Sequence, residues 1–154
     1  MKVKIITAVL LAATGFFFTL TLRADNMALM GPVKSVYNHY LKIQADLAND
    51  SLKGVPAEAN AIAEAVRGDS MKMLPENVAA QAQTLAKATD LAAARAAFKP
   101  LSGSLIQYLG GHNAKGAYVE FYCPMAKAGW LQAGKDTANP YMGQAGLTCG
   151  IVKN

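Results

Sequence analysis

The chain has 154 residues, 53% of them hydrophobic and 16% charged, with 15 basic and 10 acidic side chains and a formal net charge of +5. Lys2, Lys4 and Arg23 flank one uncharged N-terminal run, and without them 12 basic residues face 10 acidic ones, a net +2. So small a surplus excludes a domain built on electrostatic attraction to nucleic acid or to an anionic membrane.

Residues 1–24 read as a secretory signal: basic Lys2 and Lys4, an uncharged stretch from Ile5 to Leu22, and Ala24 before a polar segment. Leu22 stands where a small residue usually precedes the cleavage site, and the run is long enough to cross a bilayer. Two fates follow: cleavage after Ala24, or retention as an anchor that gives the only membrane attachment. In both, residues 25–154 form a single domain in a periplasmic or secreted setting. About 130 residues suit one small core.

After a leader over residues 25–31, Val33, Val36, Tyr37, Tyr40, Leu41 and Leu47 recur at helical spacing, which predicts a helix ending near Asn49-Asp50. Pro56 suits the first turn of a second helix reaching about Val66, with Gly68 as its break. A third helix is predicted from Glu76 to about Ala88. The fourth starts at Asp90, a good N-cap, and carries one apolar stripe of Leu91, Ala94, Phe98, Leu101, Leu105 and Leu109 up to Gly110-Gly111. Pro100 lies within it and predicts a kink.

From about residue 112 the pattern changes. The alternating, aromatic run Ala117 to Tyr122 predicts a strand. Gly129-Trp130-Leu131 and Cys149-Gly150-Ile151-Val152 predict two more extended pieces, and Asn139-Pro140-Tyr141-Met142-Gly143 predicts a turn. The fold class expected is therefore mainly α: an antiparallel four-helix bundle with a small, irregular C-terminal lobe containing short β strands.

The lobe holds the only two cysteines, Cys123 and Cys149, each near a methionine, Met125 and Met142. In an exported chain such a pair either oxidises to a disulfide or binds a soft metal. The disulfide would close a 26-residue span and add about 3.5 kcal/mol in the chain-entropy treatment. The metal alternative joins thiolates of Cys123 and Cys149 to the thioether of Met125, with Met142 and His112 as further ligands, and selects Cu(I) or another soft ion. A third alternative leaves two independent thiols. His112 also fits a cation at a helix C-terminus, and Trp130 fits the anchor of the lobe, its indole N–H needing a partner. There is no GxSxG, phosphate loop or HExxH, and no orienting group for a Cys–His nucleophile, so catalysis is not expected.

The ordered runs YCPMA (Tyr122 to Ala126), GWLQ (Gly129 to Gln132), NPYMG (Asn139 to Gly143) and LTCG (Leu147 to Gly150) resemble the secreted family called domain of unknown function 3347. HYLKIQADLAND (His39 to Asp50) and RAAFKPLSGSLIQYL (Arg95 to Leu109) resemble it as well. The resemblance implies a helical domain of bacterial secreted proteins that is also attached to periplasmic adaptors of heavy-metal efflux pumps, and it brings no catalytic activity. Its Cys-Pro-Met run is similar to one in small heavy-metal-binding domains. The family's usual methionine before the leucine of the second cysteine motif is replaced here by Gly146, and Met142 stands where the family tends to carry an aromatic residue. Cys123, Met125 and Cys149 keep the pattern. The expected function is thus a carrier or sensor of a soft metal with an efflux adaptor or other periplasmic protein as partner; the rival is a non-catalytic interaction module held by a Cys123–Cys149 disulfide.

Overall fold

A computed structural model describes residues 29, 31–112, 114 and 116–153. The signal predicted over residues 1–24 lies outside the described residues. No helix among the described residues is long and apolar enough to cross a membrane.

Four α-helices come first among the described residues. Helix α1 (Gly31–Ala48) buries Val33, Val36, Tyr37, Tyr40 and Leu47 of the stripe that its spacing predicts, with Ile43 added and Leu41 only half-buried. It stops where Asp50 takes a left-handed conformation, φ 53°, and Ser51 N–H returns to the Asp46 carbonyl at 2.9 Å. Helix α2 (Val55–Arg67) has its proline in the first turn, where no amide partner is needed. Gly68 closes it through an N–H bond to the Glu64 carbonyl at 2.9 Å. Helix α3 (Glu76–Ala86) ends two residues before the predicted limit. Helix α4 (Leu91–Gly111) opens on the Asp90 carboxylate, which accepts the Ala93 amide at 2.8 Å. Its buried face is Ala94, Phe98, Leu101, Leu105 and Leu109. Pro100 removes one rung of the amide ladder on the exposed side, yet the helix runs on past it.

The helices pack in chain order, α1 on α2, α2 on α3, α3 on α4, and α1 touches α4. Behind them stand three short antiparallel strands, β1 (Val119–Cys123), β2 (Ala128–Gln132) and β3 (Ile151–Val152), in the order β2-β1-β3. The registers pair Phe121 with Trp130 and Cys123 with Ala128 on one side, and Tyr122 with Ile151 on the other. The class is mainly α with a C-terminal β lobe, as the sequence predicts.

One run of rings carries the core from the bundle into the lobe. Tyr40 stacks on Phe98 at 5.0 Å, Phe98 meets Tyr141 at 5.8 Å, Tyr141 meets the edge of Trp130 at 6.1 Å, and Trp130 stacks on Phe121 at 5.3 Å. Such ring pairs add about 0.5–1.5 kcal/mol each beyond the area they bury.

Candidate functional site: the sulfur lobe

The lobe is an irregular loop, residues 133–150, folded over one face of the small sheet. Loops carry backbone groups that need partners when buried, and here a few polar side chains supply them. Gln132, buried at the end of β2, accepts the Trp130 indole N–H at 2.9 Å and the Ala138 amide at 3.2 Å. Its amide donates to the Gly134 and Asp136 carbonyls at 2.9 and 2.7 Å. Asn139, fully buried, accepts the amides of Tyr141 and Met142 at 2.8 and 3.2 Å and donates to the Cys149 carbonyl at 2.6 Å. Arg95 of α4 reaches the Pro140 and Leu47 carbonyls, both at 2.9 Å, and pairs with Asp50. Asp50 also accepts the Gln144 amide at 3.1 Å. The Arg95 guanidinium, then that amide, hold the Asp50 carboxyl below its usual range.

On this frame the two cysteines meet. Cys123 ends β1 and is fully buried; Cys149 follows the 3-10 turn Gly143–Gly146 and is half-buried, its N–H bonded to the Gly146 carbonyl at 2.9 Å. They form a disulfide with Cα atoms 5.8 Å apart, across 26 residues of sequence. Gly150 is required beside it, because a Cβ there would stand 2.6 Å from the Trp130 ring and 2.9 Å from the Thr137 methyl.

The turn from β1 to β2, residues 124–127, follows directly on Cys123. Ala126 N–H points at Sγ from 3.4 Å, and the Lys99 ammonium donates to the Ala126 carbonyl at 2.8 Å. Met125 stands at the outer side of this turn, 73% exposed. Met142 belongs to the same loop as Cys149: its amide goes to Asn139 and its half-buried side chain lies over Gly146, leaving no room there for a Cβ.

His112 does not join them. It caps the C-terminus of α4, its Nδ1 2.7 Å from the Tyr108 carbonyl and its ring stacked on Tyr108 at 4.2 Å. Lys99 is the α4 residue that touches the cysteine turn, and 13 residues of helix place His112 about 20 Å further along the axis. The structure thus bonds Cys123 to Cys149, with Met125 two residues along the chain from Cys123 and Met142 in the loop of Cys149. Of the two roles that the sequence offers His112, it takes the one at the helix end and not the one as a ligand beside the cysteines. Among the described residues, no group of three or more His, Cys, Asp or Glu side chains is placed to hold a metal ion. A separate cleft of about 320 Å³ at the α2–α3 connection, lined by Arg67, Asp69, Lys72 and Glu76, takes no residue from the lobe.

Sequence reasoning missed the polar frame. Only Asn139 left a local signal, since an Asn before a turn bonds the amide two residues on, as it does to Tyr141. Arg95, Asp50, Tyr40 and Ser102 find partners too distant in sequence to leave any, and Gln132, whose partners lie within six residues, sits in no recognisable turn pattern.

No curated protein and no solved structure matches the chain. The family model described as "Protein of unknown function (DUF3347)" matches residues 36–116, from the first turns of α1 to the approach to β1. With just over half its length under that match, the chain belongs to the DUF3347 family.

Proposed function

We propose that this chain is an exported carrier or sensor of a soft metal ion, Cu(I) above all, bound by Cys123, Cys149 and Met125 once the two cysteines are reduced. One observation supports the reading: two sulfurs 26 residues apart are brought into bonding contact, and Met125, two residues from Cys123 in the chain, is 73% exposed. Two thiolates and a thioether are a soft donor set, suited to Cu(I) and poorly suited to hard cations. Met142, in the loop that carries Cys149, is the candidate for a fourth sulfur. Handing the ion to an efflux adaptor is the partner step that the family resemblance suggests.

A second reading has its own support. The cysteines are bonded to each other, and β3 leaves Ile151 and Val152 each 53% exposed at the sheet edge. Such a lobe suits a disulfide-braced interaction module. Thiol counting on protein purified from the export compartment, followed by Cu(I) titration before and after reduction, separates the two. The carrier reading expects one tight equivalent only after reduction. An oxidised pair with no tight binding even when reduced leaves the module.

A further inference from the structure

The two halves of the disulfide are not equivalent. Cys123 is fully buried, and the Ala126 amide in the 124–127 turn points at its sulfur from 3.4 Å. Cys149 is half-buried, between exposed Thr148 and half-buried Gly150. Thiol–disulfide exchange requires a thiolate to reach one sulfur in line with the S–S bond, so access decides which sulfur is attacked.

We propose that Cys149 Sγ is the site at which a small thiol forms a mixed disulfide with this protein. The incoming thiolate bonds to Cys149 Sγ, the Cys123–Cys149 bond breaks, and Cys123 leaves with the electron pair. The Ala126 N–H lies against the charge as it develops, and the proton given up by the incoming thiol is taken by Cys123. A second thiol then releases Cys149 as a free thiol, so that two thiols are oxidised to one disulfide and the protein gains two electrons. The backbone of Cys149 stays in place throughout, because its carbonyl is held by Asn139 and its amide by Gly146. The lobe therefore passes from closed to open sulfurs without unfolding. Neither reading of the function is required for this step.

Incubating the intact oxidised protein with excess glutathione, quenching with acid and mapping the adducts by mass spectrometry tests it. The expected result is glutathione on Cys149 in excess of Cys123 by about tenfold or more. Adducts on Cys123, equal adducts on both, or reaction only after denaturation would each overturn the assignment. A second measurement uses an aromatic disulfide reagent on Cys123→Ser and Cys149→Ser, with folding checked by circular dichroism. Cys149 in the first variant should react about tenfold faster than Cys123 in the second, and the reverse order contradicts the proposal.

Discussion

The Tyr40 hydroxyl in α1 and the Leu131 amide in β2 are hydrogen-bonded at 3.0 Å across 91 residues of sequence. Leu131 N–H donates to Tyr40, Tyr40 meets Ser102 Oγ at 2.7 Å, and Ser102 donates to the Gly129 carbonyl at 2.9 Å. Because Ser102 spends its proton on Gly129, Tyr40 is the donor to Ser102. Tyr141 OH adds a second donor to the same carbonyl at 2.6 Å. The free edge of β2 is thus closed by hydroxyls of Tyr40 and Ser102 from the bundle and Tyr141 from the loop, where an open edge would invite another strand.

Tyr40→Phe keeps the ring on Phe98 and removes only the oxygen. It leaves the Leu131 amide without a partner in a fully buried place, at a cost of about 1–3 kcal/mol. Urea unfolding of the variant should show that loss with an unchanged slope.

Asn139→Ala should cost more than the hydroxyl, because it strands the Tyr141 and Met142 amides and the Cys149 carbonyl together. A loss of at least about 2 kcal/mol is expected, with amide exchange in residues 139–150 accelerated and that in α2 unchanged.

Gly150→Ala sets a methyl against the Trp130 ring. Overpacking of this kind costs about 1–3 kcal/mol, and the Trp130 fluorescence of the folded protein should shift as its surroundings give way. A thermal melt identical to the parent would mean that the loop does not lie on Trp130.

Glu58 is held below its ordinary 4.5 by His39, 2.5 Å away, and then by Lys42. Asp50 is held below its ordinary 3.8 by Arg95 and the Gln144 amide. Both carboxyls bind fewer protons in the fold than in the unfolded chain. Their stabilisation is therefore complete above those ordinary values and is lost as pH falls through the lowered folded ones. Asp50→Asn should flatten the acid limb of the stability curve and leave the neutral limb's slope unaltered.

The helices were legible because each depends on its own sequence. Val33, Val36, Tyr37 and Tyr40 share a face by spacing alone, and Asp90 caps α4 from the adjoining turn. The strands are legible less sharply: the alternating run Ala117 to Tyr122 predicts β1, and the strand lies at Val119–Cys123. The Trp130 indole N–H calls for an acceptor, but nothing in the sequence singles out Gln132 as that acceptor. His112 takes the helix-end place that its position after Gly110-Gly111 suggests. Its alternative role as a ligand depends on how far the helix carries it, and the sequence shows proximity to a motif only along the chain.

The sulfur site is tested most directly by X-ray absorption at the copper edge on reduced protein loaded with one equivalent of Cu(I), alongside Met125→Leu. Met125 is exposed, so that substitution should leave stability within about 0.5 kcal/mol. The account predicts sulfur scatterers alone, with one fewer and about tenfold weaker retention in the variant. Nitrogen scattering from an imidazole, or copper lost from the reduced parent as readily as from the oxidised one, would contradict it.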